Sequence, residues 1–355
     1  MIKIKASVTA NQKMTYAQES RVELRIDCSD GINDILLPDC CKNKGLSEYP
    51  HDTALQGALA EYWNQTAQTT EDMFLLGNGS QQLLYLVNKL LIERGSRVLG
   101  YAPQYSSYGS DVLFCGGDYR TCRMGENYQF EFRRLTEQME SADTLVYLDN
   151  PNNPTGQSIP LEQVEYIVRE AAKENICVLV DEAYGEYMEP ENSAIALLKT
   201  YDNIIVLRTF SKGFGLAGVR LGYLVTSPEI VREMKKLTTP YDGNTYARQI
   251  CAQVLKEESF LPNLRNAVRG IKLPILNTSF TNLKIACTDV HVPIFMLYHP
   301  QPDFELAEIL RNEGIGTVSG RSFYGMGPNV VRMRVPPRED IDEVLKILRK
   351  IDQMK

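Results

Sequence analysis

The residues most able to do chemistry stand just past short apolar runs. Ile204 to Leu207 is such a run, and it leads through Thr209 and Ser211 to Lys212, followed by Gly213, Gly215 and Gly218. An amine drawn out of water at a strand end attacks carbonyl carbon and forms a Schiff base with an aldehyde. Taken alone, Ser211-Lys212 reads as an ordinary surface lysine, so its neighbours decide. Ile176 to Val180 ends in Asp181-Glu182-Ala183-Tyr184, and Thr144 to Leu148 ends in Asp149-Asn150-Pro151-Asn152-Asn153-Pro154-Thr155-Gly156. Two prolines and a glycine among asparagines aim the side-chain amides in fixed directions. Met73 to Leu76 runs through Gly77-Asn78-Gly79-Ser80 into a leucine-rich helix from Gln81 to Glu93. There, unpaired backbone N–H groups and the helix dipole converge on an anion, or the segment is a plain glycine turn. Val98 to Tyr101 precedes Pro103-Gln104-Tyr105, a tyrosine that stacks on a flat ring or simply covers core.

Pyridoxal phosphate requires an amine for its aldehyde, an acid at its ring nitrogen, donors for its phenolic oxygen, a phosphate cradle and a stacking face. The chain has one candidate for each. Lys212 carries the Schiff base, Asp181 holds the pyridinium proton, and Asn153 and Tyr184 serve the phenolic oxygen. Gly79, Ser80 and Gln81, with Ser211 and Arg220, form the phosphate cradle; Thr209 joins this cofactor-binding set and Tyr105 covers the ring. Paired acids after a strand also suit a magnesium-dependent nucleotide hydrolase. That chemistry needs a Gly-x-x-x-x-Gly-Lys-[Ser/Thr] loop, which the sequence lacks.

Along the chain, strands near residues 74, 99, 146, 178 and 206 alternate with helical stretches, and residues 222–226 add another. This is the pattern of an α/β domain built on a parallel sheet, with polar tips at the carboxyl ends where ligands bind. A long helical region follows Asn244 to about Arg269. Beyond it, strands at Val292 to Leu297 and Val330 to Val335 mix with helices at Phe304 to Glu313 and Ile341 to Ile351, which suits a smaller α+β domain. The expected division is 1–46 as an N-terminal arm or part of the small domain, 47–244 as the large cofactor-binding domain, and 245–355 as the small domain.

Composition agrees with a small-molecule enzyme. The 355 residues are 43% hydrophobic and carry a formal charge of -7, which gives no basic surface for nucleic acid or an anionic membrane. Eight cysteines without a Cys-x-x-Cys pair, and three histidines, show no zinc-ligand spacing and point to reduced thiols. The segment MIKIKASVTANQ has no apolar run, and no stretch is long enough for a membrane span, so a cytoplasmic protein is expected.

The segments PNNPTG, LVDEAYGEY and RTFSKGFGLAGVRLGYLV resemble the fold-type I aminotransferases of class I/II, most closely the histidinol-phosphate aminotransferase and threonine-phosphate decarboxylase branch. The resemblance implies a fold-type I pyridoxal-phosphate-dependent transferase with a mostly parallel sheet. It assigns Lys212, Asp181 and Tyr184 as catalytic, and likens Tyr49 to a tyrosine that reaches the other subunit's cofactor phosphate, hence a homodimer with shared active sites. In VVRMRVPPRED it places the substrate-carboxylate arginine at Arg332, beside Asn153 in the substrate set, rather than at Arg334, which shares its face. Histidinol-phosphate enzymes carry a phosphate-binding arginine where this chain has Val318, with Arg321 nearby in a turn. The implied activity is transfer of an amino group from an amino acid, or histidinol phosphate, to a 2-oxo acid. A threonine-phosphate-type decarboxylase or other lyase is the alternative, and a cofactor-binding protein without turnover a remote one.

Overall fold

The computed structural model describes residues 2–12, 53–239 and 243–354. Its larger sheet has seven strands: β1 (Phe74–Gly77), β2 (Arg97–Ala102), β3 (Asp118–Arg123), β4 (Asp143–Asp149), β5 (Cys177–Asp181), β6 (Ile204–Thr209) and β7 (Gly222–Val225). They lie in the order β1-β7-β6-β5-β4-β2-β3. The pairs from β3 through β2, β4 and β5 to β6 are parallel, while β7 runs antiparallel to both β1 and β6. The expected parallel sheet therefore holds except at β7. One strand, β3, is absent from the sequence reading because DYRTCR has no apolar run; it is an edge of the sheet, and Cys122 is its one fully buried residue.

Central strands are buried on both faces, and period-two alternation divides their side chains between two cores. Val146, Leu148, Val178, Val180, Ile204 and Val206 face the helices Ala54–Ala67 and Leu161–Lys173. Leu145, Tyr147, Leu179, Ile205 and Leu207 face the helix Gly79–Leu91. Asp149 continues the parity of Leu145 and Tyr147, and Asp181 that of Leu179, so both acids emerge on the second face.

A second sheet, β8 (Lys284–Ile285), β9 (Ile294–Tyr298), β10 (Val318–Ser319) and β11 (Val330–Arg334), is antiparallel throughout in the order β10-β11-β9-β8. The long helical region expected after Asn244 is two helices: Thr245–Val254, capped by the Asn244 side chain accepting from Ala247 N–H at 2.9 Å, and Phe260–Leu276. Lys272 of the latter is fully buried, and its Nζ donates to Thr288 Oγ1 and to the carbonyls of Asp289, Val292 and Ile294 at 2.6–2.9 Å. The loop it gathers lies against the Asn152–Gly156 turn, where Asp289 N–H donates to Gly156 O at 2.9 Å. Gly156 has φ +72°, and a Cβ there would lie 2.0 Å from Ile294 O, so only glycine permits this approach.

Candidate active site

The carboxyl ends of β4, β5 and β6 open on a pocket of about 200 Å³ lined by Gly79, Ser80, Gln81, Tyr105, Asn153, Asp181, Tyr184, Thr209, Ser211, Lys212, Arg220 and Arg332, all expected from sequence, and by Asp149, Pro151 and Ala183, which were not. Tyr49 lies outside the described residues. Arg334 does not line the pocket: on β11 it is exposed, whereas Arg332 is half-buried.

Each wall has a local cause. The helix Gly79–Leu91 has no side-chain cap at its start, so its first N–H groups face the pocket unpaired. Gly79 has φ +73°, and a Cβ on it would come within 2.7 Å of Arg220 Nη2. Arg220 itself adopts φ 56°, a conformation few non-glycine residues take, and its Nη1 donates to Ala217 O at 3.1 Å and Ser211 Oγ at 3.4 Å. Thr209 Oγ1 is joined to Ser211 Oγ at 3.0 Å. Amides, two hydroxyls and a guanidinium thus converge at one end, the chemistry of a phosphate site.

At the opposite end Asp181 is 4% exposed, with Oδ2 accepting from Tyr147 OH at 3.1 Å and Oδ1 from Ala183 N–H at 3.0 Å. Among the described residues no lysine or arginine forms a hydrogen bond or ion pair with it. Burial, and then the Asp149 carboxylate, push it up to about 7. A buried acid with no counter-ion suits a guest that brings a protonated nitrogen.

Lys212 reaches the cleft from the β6–β7 connection. Solvent reaches its side chain through the open mouth, yet the crowding around the amine, then Arg332 and Arg220, lower its pKa. Its Nζ stands 5.5 Å from the Tyr184 ring centroid. Desolvation raises the Tyr184 hydroxyl, opposed by Arg332. Tyr105 caps another wall, its hydroxyl donating to Gln81 Oε1 at 2.5 Å. From the small sheet, Arg332 Nη1 donates to Asn153 Oδ1 at 3.0 Å, leaving Asn153 Nδ2 as the donor. An amine, an uncompensated acid, an anion cradle, a flat aromatic wall and two donors match the chemistry of pyridoxal phosphate.

Comparison with known proteins agrees. The sequence profile of the family described as "Aminotransferase class I and II" matches residues 32–348. The chain belongs to this family. It is a pyridoxal-phosphate-dependent aminotransferase with the fold-type I architecture. A histidinol-phosphate aminotransferase from Caldanaerobacter subterraneus subsp. tengcongensis is 31% identical over 292 residues, which is 78% of this chain and 79% of that protein. The structure of the histidinol-phosphate aminotransferase from Clostridium acetobutylicum superposes with TM-score 0.77 at 21% identity, covering 87% of this chain and 92% of that one. That of the L-threonine-O-3-phosphate decarboxylase from Porphyromonas gingivalis gives 0.70 at 18% identity, covering 86% and 93%; at this distance the likeness is one of fold.

Two features of this aminotransferase bear on substrate. Val318 pairs with Arg332 across β10 and β11. Arg321 does not line the pocket, and it binds Glu305 through both terminal guanidinium nitrogens, at 2.5 and 2.6 Å. Among the described residues no helix is long and apolar enough to cross a membrane, and no group of His, Cys, Asp and Glu side chains could hold a metal.

Proposed function

We propose that this aminotransferase moves the amino group of an α-amino acid to a 2-oxo acid, with Arg332 seating the substrate carboxylate and Lys212 carrying protons. The observation behind the reading is Arg332 itself, hydrogen-bonded to Asn153 in the pocket that holds Lys212. A guanidinium fork matches both oxygens of a carboxylate.

When bound, pyridoxal phosphate supplies an electron sink for a bond breaking at the substrate Cα. In this proposal Asp181 would keep the ring nitrogen protonated, Asn153 Nδ2 and the Tyr184 hydroxyl would serve the phenolic oxygen, Tyr105 would cover the ring, and Gly79, Ser80, Gln81, Thr209, Ser211 and Arg220 would hold the phosphate. The crowding around the Lys212 amine and the nearby Arg332 and Arg220 lower its pKa, which favours the neutral amine that would remove the proton from the substrate Cα. Arg332 orients that Cα and helps to hold the lysine neutral.

Histidinol phosphate as amino donor is the second reading, favoured by the name of the 31% identical relative. Against it stands Arg321, engaged by Glu305 outside the pocket. Decarboxylation has only a shared fold behind it. We further propose 1–46, 47–244 and 245–355 as arm, large domain and small domain, in a cytoplasmic homodimer in which Tyr49 of one subunit serves the cofactor phosphate of the other. Supporting the dimer, Tyr246, Ile250 and Phe260 are exposed, and Phe260 stacks near Phe214 of the Lys212 connection.

The test is a panel of amino donors, each scored by the absorbance change of the bound cofactor in a single half-reaction. Conversion by an α-amino acid with little response to histidinol phosphate is the expected result. The reverse order would move the assignment to the second reading, and no response to any donor would remove both.

A further inference from the structure

Asp149 ends β4 as Asp181 ends β5, and the two are Cα partners across the parallel pair. It is 3% exposed and lines the pocket. Its Oδ1 accepts from Tyr101 OH at 2.9 Å, Asn152 Nδ2 at 3.0 Å and Gln104 Nε2 at 3.2 Å. Its Oδ2 accepts from two backbone N–H groups, those of Asn153 at 3.0 Å and Tyr105 at 3.2 Å. The titratable groups that face it are Tyr101, Tyr119 and Tyr147 from β2, β3 and β4, and Asp181 from β5. Among the described residues no lysine or arginine bonds to it. Four N–H groups and the Tyr101 hydroxyl, which is shared with the Asp149 backbone carbonyl at 2.9 Å, reach the two oxygens and favour the ionised form, yet among the described residues its charge meets no cation.

A simple turn would be served by an asparagine, whose one oxygen can accept while its amide donates. Here both oxygens must accept, so the site demands a carboxylate. The two N–H groups on Oδ2 are those of Tyr105 and Asn153 themselves, both of which line the pocket.

We propose that Asp149 is a second carboxylate of the cofactor floor, a positioning residue that sets Tyr105 and Asn153 and whose negative charge, beside Asp181, helps keep the proton on the pyridine nitrogen. The inference rests on the reading of this pocket as the cofactor site. Burial raises both acids, and Asp149 adds to the rise at Asp181, so the pair attracts a proton more strongly than one acid alone.

The experiment compares the full-length wild type with Asp149→Asn and Tyr101→Phe. The readouts are the dissociation constant for pyridoxal phosphate, the pH at which the bound chromophore's absorbance titrates, and the melting temperature without cofactor. Loss of a charged acceptor for two N–H groups should weaken cofactor binding in Asp149→Asn by about tenfold. The spectral transition should move to lower pH, because a removed negative charge lowers proton affinity. Tyr101→Phe removes one donor, keeps the charge and volume, and should shift the transition in the opposite direction with a near-normal melting temperature. Unchanged affinity and an unchanged spectral transition overturn the proposal, even if the melting temperature falls, since Asp149 would then be a structural clamp. Should Asp149→Asn fail to fold, an unmoved transition in Tyr101→Phe overturns it equally. A wild type that takes up no pyridoxal phosphate defeats the parent reading instead.

Discussion

Arg332 on β11 donates to Asn153 in the β4–β5 connection at 3.0 Å, so the small sheet touches the large one at the pocket. A substrate carboxylate arriving there competes for the same guanidinium. Arg332→Ala should cost about 2–4 kcal/mol in kcat/KM with carboxylate substrates, mostly through KM. Arg332→Lys, which keeps charge and loses the fork, should fall between. Equal kinetics in all three proteins would make Arg332 a bolt between the sheets and nothing more.

Lys212 is the cleanest site for a deletion. Its Nζ takes part in no hydrogen bond or ion pair among the described residues, only the contact over Tyr184. Lys212→Ala should therefore keep the melting temperature of the cofactor-free protein while turnover falls by a thousandfold or more, roughly the worth of an acid–base group that is also the covalent anchor. Borohydride should attach the cofactor covalently to wild type and not to the variant.

The strands that bear the site were legible because they are buried on both faces and so read as continuous apolar runs: Val146 to Leu148, Val178 to Val180, Ile204 to Leu207. The edge strand β3 was not, since its DYRTCR pattern carries no such signal. Nor does sequence show direction, and β7, which reads like the others, is antiparallel. At the site, Lys212 and Asp181 stood out as ionisable residues at apolar strand ends. Asp149 stood at the same kind of place but looked like the first residue of an asparagine–proline turn. Only three-dimensional proximity reveals that its oxygens collect donors from β2, from the Tyr105 backbone and from the turn itself. Arg321 was visible, but its bond to Glu305, 16 residues earlier, was not.

The acid–base balance of Asp181 should be measurable without catalysis. Its pKa rises from 3.8 to about 7 on folding, with burial the main cause. The folded state thus binds a proton that the unfolded chain releases between these values, so this contribution to stability is complete below about pH 4 and disappears as pH rises through 7. Cofactor-free protein should melt at a lower temperature at pH 8 than at pH 5.5. Asp181→Asn should flatten that difference, though the raised Asp149 preserves part of it. An identical slope in wild type and variant would mean that Asp181 is ionised in the empty pocket.

Arg321 separates the two substrate readings. Its guanidinium is exposed and engaged by Glu305. Arg321→Ala should leave kcat and KM for amino acids within about twofold, as a surface ion pair would. A selective rise in KM for histidinol phosphate alone would place a substrate phosphate at Arg321 and favour the second reading.

Lys272 links stability to the site at a distance. Its buried amine holds Thr288 Oγ1 and three backbone carbonyls, and the loop so gathered packs on Gly156 beside Asn153. Burial lowers its pKa to about 7, so the cost of charging it is already present in the native protein. Lys272→Met keeps the chain length but takes the amine from Val292 O, while Asp289 O keeps Val292 N–H at 3.3 Å and Ile294 O keeps the Thr288 hydroxyl at 3.5 Å, and an unpaired buried acceptor costs on the order of 1–3 kcal/mol. The variant should lose about 1–3 kcal/mol in denaturant unfolding, because Val292 O loses its donor and the loop loses the amine that gathers it. The loop from Thr288 to Ile294 leads directly into β9, whose Met296 pairs with Arg332, so the loss should extend to a higher KM for carboxylate substrates. Cofactor affinity should change far less, since the phosphate cradle at the start of the helix Gly79–Leu91 shares no residue with the loop that Lys272 gathers. A Lys272→Met protein as stable as wild type would show that water satisfies the carbonyls and that the lysine is dispensable.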